Sequence, residues 1–179
     1  VQVYQVISYA EASSNLSRYD GVKYGHRVDE YYNLDDLYKK TRGEGFGYEV
    51  KRRLMMGAYF LCKDNYEKYY NKARKIRRII CEAYDKVFER YDVILCPDPL
   101  NTAPLLSEKN NSNTKNSTLT LNSSVNLAGL PAISIPCGKD RNGLPIGMQL
   151  IGKRFGEKDI IRAAYTFEQT RPYERPETL

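Results

Sequence analysis

The chain has 179 residues, 41% of them hydrophobic, and its 28 Lys and Arg against 22 Asp and Glu give a net charge of +6. That balance admits an anionic partner without requiring nucleic acid, and no apolar run approaches the ~20 residues of a transmembrane helix. The single histidine, His26, excludes a multi-histidine metal centre, and Cys62, Cys81, Cys96 and Cys137 are too widely spaced for a CxxC site, so buried free thiols are expected. Tyrosine is abundant and tryptophan absent, a bias of the kind an AT-rich genome imposes. The stretch from Val1 does not read as a signal or transit segment and begins without an initiator methionine, so the sequence is expected to be a piece of a longer one.

Val3, Val6, Ile7 and Ala10 recur at helical spacing, which favours a helix through EASSNL over the strand that the β-branched residues also allow, ending near Ser17 to Gly21 with Tyr19-Asp20-Gly21 as the turn. Ser13 and Ser14 have no evident general base and read as structural. Asn33 is a helix cap followed by Asp35 and Asp36, with Lys40 in the last turn, and this helix should stop at Gly43. Glycines at 43, 45 and 47 make a flexible turn before a helix over Tyr48 to Met56. Val50, Leu54 and the Met55/Met56 pair would form its apolar face, with Lys51, Arg52 and Arg53 opposite. Those cations are either a solvated face or an anion clamp, since guanidinium matches carboxylate or phosphate with a planar fork of donors.

Lys63-Asp64-Asn65 is a polar break whose Asp or Asn can cap a long helix from Tyr66 to about Tyr91. Its apolar side carries Tyr69, Ala73, Ile76, Ile80, Ala83 and Val87, and the other faces are rich in Lys and Arg. Interspersed acids favour a solvated face over a phosphate-tracking one. Val93 to Cys96 predicts a buried strand before Pro97, and Pro97, Pro99 and Pro104 an extended loop. An Asn-rich, low-complexity insert at 107–118 follows. Beyond it, Ser123 to Gly138 predicts a helical turn, a Gly-Leu-Pro corner and a strand; Asn142-Gly143 a hairpin turn; and Ile146 to Ile151 a returning strand. Gly147 and Gly152 mark close approaches or bends. An amphipathic helix over Asp159 to Gln169 precedes a proline-punctuated tail from Arg171.

Four stretches together resemble the C-terminal half of the amidase signature family: EASSNLSRYDGVKYGHR, TRGEGFGYEVKRRLMMG, YDVILCPD, and VNLAGLPAISIPCG with GLPIGMQLIG. The first two resemble most specifically the A subunits of the tRNA-dependent amidotransferases, whereas the later ones are shared across amidases. The resemblance implies an α/β fold, the α/β/α amidase domain around a mixed β-sheet, with residues 1–179 as the C-terminal portion of that single domain. It implies acyl transfer by a serine nucleophile, activated by a lysine and a bridging serine, with backbone N–H groups holding the oxyanion. That catalytic signature matches nothing here, so this piece alone is expected to be inactive.

The resemblance also implies free glutamine as substrate, its α-carboxylate paired with Arg53, with Arg52 the competitor. These two side chains leave the helix roughly 100° apart, so one should face the pocket. Tyr4 would line the same pocket. The family's acidic contact to the substrate amine falls in STLTLNSS, which has no acid, so either Asn122 or Thr120 substitutes or substrate binding is weakened. No cofactor is expected on this piece, because the complex uses ATP and Mg in a partner subunit. The implied partners are a B subunit, a small C subunit, and tRNA through the complex, with no membrane. Composition and the Asn-rich insert suggest a eukaryotic organelle such as a plastid, with a bacterial cytoplasm as the alternative. Two other readings stand beside this one: a different amidase-signature hydrolase, and a basic RNA-binding module on the helix after Asn65.

Overall fold

A computed structural model describes residues 1–98, 102–104 and 122–170. The predicted insert at 107–118, Thr120 and the tail from Arg171 lie outside the described residues. The chain divides by its contacts into Gln2–Ile76 and a second unit of Val1 with Arg77–Leu179.

In the first unit, α1 (Gln2–Asn15) buries Ile7 and Ala10 as their spacing requires, and a 3₁₀ turn (Leu16–Arg18) ends it. The predicted turn follows: Asp20 Oδ1 accepts from the N–H groups of Val22 (2.8 Å) and Lys23 (3.2 Å), and Gly21 has φ 78°. Those two donors lower the Asp20 carboxyl pKa. Helix α2 (Leu34–Gly45) is capped by Asn33, whose side chain accepts from Asp36 N–H at 2.9 Å. It does not stop at Gly43. Arg42 donates to the carbonyls of Leu16 and Tyr19, both at 3.0 Å, and this anchor holds the last turn helical through Gly43, whose cost in a helix is only about 1 kcal/mol.

Gly47 caps α3 (Tyr48–Leu61) without a side-chain bond. The inward stripe of α3 is Val50, Leu54, Gly57 and Leu61, with Phe60 beside it, so the predicted apolar face is corrected. Met55 is 74% exposed and Met56 is also exposed, because each step along a helix turns about 100° and carries them off the stripe. Helices α1 and α3 pack together with Gly57 at the contact.

The single long helix predicted after Asn65 is in fact a turn α4 (Lys63–Asn65), a π-helical turn (Tyr66–Asn71) and α5 (Lys72–Phe88). Asn65 holds the cap position of the π-helical turn, as expected, and Cys62 that of α4, neither through a side-chain cap bond; Asn65 Nδ2 donates instead to Cys62 Sγ at 3.2 Å. The wider turn coincides with an aromatic cluster, in which Tyr69 lies 5.5 Å from Phe60 and 5.9 Å from Tyr59 between ring centres.

Helix α5 continues into the second unit, where Ala83 and Val87 are exposed and Tyr84 and Phe88 turn inward instead. The Tyr84 hydroxyl meets Ser124 Oγ at 2.8 Å, and Arg77 Nε donates to the Leu127 carbonyl at 2.7 Å. Arg77 is therefore part of the packing and not of a solvated face. A short helix α6 occupies residues 122–128.

Strands β1 (Val93–Asp98), β2 (Ala132–Lys139) and β3 (Pro145–Gly152) form an antiparallel sheet in the order β1-β3-β2. The central β3 is the buried one. β1 is an edge strand among the described residues, and Leu95 on it is 64% exposed where a buried strand was predicted, because α7 packs on β2 and β3. The edge also explains why β1 runs through Pro97, paired with Met148, since an edge position tolerates a missing N–H. At the hairpin Asp140 Oδ1 accepts from Asn142 and Leu144 N–H, and Gly143 has φ 79°.

The sheet is covered by α7 (Glu157–Thr170), and Ile135, Met148, Leu150, Ile160 and Ala164 form the core. Burial of each large aliphatic side chain there stabilises by about 1.5–3 kcal/mol. Gly147 and Gly152 are close approaches as predicted: a Cβ would lie 2.7 Å from Asp98 O and 2.9 Å from Ile160 Cγ2 respectively. All four cysteines are thiols outside any disulfide, but Cys62 is exposed and the others only half-buried. No described helix is long and apolar enough to cross a membrane.

Candidate substrate-binding site

Within the first unit, the start of α3 places Glu49, Arg52 and Arg53 on adjoining faces at spacings of three and four residues. Glu49 lies in the first turn, where a carboxylate complements the helix dipole. It accepts from Arg52 through both oxygens, Nε to Oε2 at 2.9 Å and a terminal nitrogen to Oε1 at 2.8 Å. Arg53 Nε donates to the same Oε1 at 3.1 Å. The long, flexible stems thus bring both guanidinium groups together despite their divergent departure from the helix.

Across from them stands Tyr9 of α1. Its hydroxyl accepts from Arg52 at 3.1 Å, and the two guanidinium carbons lie 5.6 and 5.8 Å from its ring centre. Arg52 first, and Arg53 second, hold the Glu49 carboxyl down to about 2. In return Glu49, and then the Tyr9 hydroxyl, raise the Arg52 pKa. The three charged side chains are each about half exposed, at 45%, 50% and 51% for Arg52, Glu49 and Arg53. They are open to a ligand.

The two arginines differ in what they have left to offer. Arg52 spends Nε and one terminal nitrogen on Glu49 and Tyr9. Arg53 spends only Nε, and its terminal nitrogens make no hydrogen bond among the described residues. A free guanidinium edge of that kind presents two parallel donors to a carboxylate. Lys51 Nζ donates to the Gly43 carbonyl and ties α3 to the preceding helix.

Tyr4 is half-buried on α1, five residues before Tyr9, on a different face of the helix. The tyrosine against the arginines is Tyr9, which was not among the residues expected from sequence, although it directly precedes Ala10 and the EASSN motif and so is the nearer candidate. Ser13 lies at the α1–α3 contact, its Cβ 2.7 Å from where a Gly57 Cβ would stand, and the Ser14 carbonyl accepts from Ser17 Oγ at 2.6 Å. Both serve structure.

In the second unit Asn122 begins α6, and its Nδ2 donates to Asp98 Oδ1 at 2.9 Å. Asn122 Oδ1 and Ser123 Oγ are buried without a hydrogen-bond partner among the described residues. Asp98, at the end of β1, is a carboxylate that sequence alone does not connect to this place, because the pairing joins positions 24 residues apart. No cluster of metal-ligating side chains occurs among the described residues.

A family model described as Amidase matches residues 1–161. The chain is 54% identical, over 98% of its length, to the A subunit of glutamyl-tRNA(Gln) amidotransferase from Lachnoclostridium phytofermentans, and covers 37% of that protein. The crystal structure of the glutamyl-tRNA(Gln) amidotransferase A subunit from Thermotoga maritima superposes with a TM-score of 0.56 at 30% identity, over 96% of this chain and 39% of that one. 6-Aminohexanoate cyclic dimer hydrolase complexed with substrate gives 0.68 at 16% identity, over 98% of this chain and 36% of that one, a likeness of fold alone. The chain spans little more than a third of the length of the curated relatives it matches.

Proposed function

The chain belongs to the amidase family, and on that premise we propose that it is the glutamine-recognising part of the A subunit of a tRNA-dependent amidotransferase. The whole protein hydrolyses glutamine by a serine nucleophile supplied with its lysine and bridging serine from outside this stretch of chain. The released ammonia passes to the B subunit, where ATP and Mg support conversion of Glu-tRNA(Gln) to Gln-tRNA(Gln), with a small C subunit completing the assembly. This chain binds no cofactor in that scheme. For the compartment, the organelle reading rests on composition, while the bacterial source of the 54% identical relative supports the bacterial-cytoplasm alternative.

The observation that carries the reading is the open terminal edge of Arg53 beside an Arg52 already committed to Glu49 and Tyr9. It supports Arg53 as the ligand of the glutamine α-carboxylate and Arg52 as its neighbour. On the family resemblance the amine contact falls to Asn122, whose carbonyl has no partner among the described residues and whose Nδ2 donates to Asp98, so the pair offers acceptors of the kind a substrate ammonium needs. Tyr9 is the tyrosine that lines the arginines, and Tyr4, on another face of α1, is a pocket residue on the family resemblance alone.

The test is steady-state glutaminase kinetics on the full-length assembled enzyme. A charge-assisted hydrogen bond of about 1.5–3 kcal/mol corresponds to roughly 10- to 150-fold in affinity. Arg53→Ala should therefore raise the glutamine KM by at least about tenfold with kcat changed far less. If Arg52→Ala does this and Arg53→Ala does not, the ligand is Arg52 and the assignment falls.

A further inference from the structure

We propose that Glu49 is a positioning residue for recognition of the substrate carboxylate: its two oxygens fix Arg52 as a brace and hold Arg53 by Nε alone, leaving the terminal edge of Arg53 for the ligand. The inference rests on reading this cluster as the glutamine site. Oε1 is the shared point, at 2.8 Å from the Arg52 terminal nitrogen and 3.1 Å from Arg53 Nε. Because Arg52 already occupies Oε2, Glu49 cannot swing round to close a two-point bond on Arg53 as well. Arg52 thus keeps Glu49 from capturing the edge that substrate needs.

Charge and order point the same way. Two guanidinium groups and one carboxylate leave a single positive charge, which matches the one negative charge of an α-carboxylate. The Glu49 carboxyl is held down to about 2, so it stays ionised wherever glutamine carries its own carboxylate. Tyr9 underlies both guanidinium groups, and together with the shared oxygen it orders a long side chain before the ligand arrives. The role is indirect, because Glu49 itself cannot bind a carboxylate.

The experiment compares the full-length complex with its Glu49→Gln and Arg53→Ala variants, using glutamine and glutaminamide, the analogue whose α-carboxylate is an amide. Glu49→Gln should raise the glutamine KM on the order of tenfold while leaving kcat/KM for glutaminamide within about twofold of wild type. Thermal unfolding should hardly change, because exposed pairs contribute little to stability. If Arg53→Ala leaves the glutamine KM unchanged, the reading of the site is wrong. If Arg53→Ala raises KM but Glu49→Gln leaves it flat or lowers it, Glu49 does not position and the inference is overturned. An equal loss on both substrates, or a large drop in the unfolding temperature, would show a merely structural role and overturn it too.

Discussion

The backbone carbonyl of Tyr9 occupies the space that a side chain on Gly57 would need: a Cβ there would lie 2.0 Å from Tyr9 O. This is what sets Tyr9 of α1 against the cationic start of α3, because the two helices can approach so closely only over glycine. Gly57→Ala is therefore expected to destabilise by more than the roughly 1–3 kcal/mol of ordinary overpacking, since the obstacle is backbone and cannot rotate away. The same variant should raise the glutamine KM by displacing Tyr9 from the guanidinium groups. Thermal unfolding of the full-length protein checks it, and an unchanged midpoint would mean that the two helices cross less tightly in solution.

Tyr9 touches the arginines in two ways that substitution can separate. Tyr9→Phe removes the hydroxyl that accepts from Arg52 but keeps the ring under both guanidinium groups. Tyr9→Ala removes both, including two cation–π contacts of roughly 0.5–1 kcal/mol each at an exposed site. The glutamine KM should rise modestly for Phe and on the order of tenfold for Ala. Equal effects of the two variants would locate the whole contribution in the hydroxyl.

These residues also mark how far the linear sequence is legible. The Asn33 cap, the Asp20-Gly21 turn and the Asn142-Gly143 hairpin can be read from it because each is local, a side chain bonding backbone two to four residues away. The extension of α2 past Gly43 cannot, since it depends on Arg42 reaching carbonyls 23 and 26 residues distant. Periodicity finds α3 but misjudges its face at Met55, because which apolar residues turn inward is decided by the partner helix. The arginines are visible as a motif. Their inequality is not, because it follows from how Glu49 divides its two oxygens and from a tyrosine 43 positions away.

The Glu49 carboxyl should titrate far below an unpaired glutamate, at about 2 instead of the ordinary 4.5. Its folded-state value is lowered, so whatever stabilisation the pairing provides is complete above the unfolded value and disappears as the pH falls through about 2. The carboxyl ¹³C shift of Glu49 followed by NMR gives a direct check. A midpoint near 4.5 would show that Arg52 and Arg53 do not hold it in solution. Arg52→Ala, which removes the largest cause, should move the midpoint upward more than Arg53→Ala does.

Asn122 allows stability and recognition to be measured apart. Asn122→Ala loses the bond to Asp98, about 1.5–3 kcal/mol for a charged acceptor, but also removes a buried carbonyl without a donor among the described residues, which costs about 1–3 kcal/mol to keep. The two nearly cancel, so the unfolding temperature should shift little. Asn122→Asp instead sets a second carboxylate beside that of Asp98, so stability should fall at neutral pH and recover on acidification, when protonation relieves the repulsion. Kinetics then test the amine contact. If the Asn122 carbonyl receives the substrate ammonium, Ala raises the glutamine KM, while Asp, which restores an acid, keeps it at or below the wild-type value. A KM unmoved by both variants would place the amine contact elsewhere, with Thr120 the next residue to substitute.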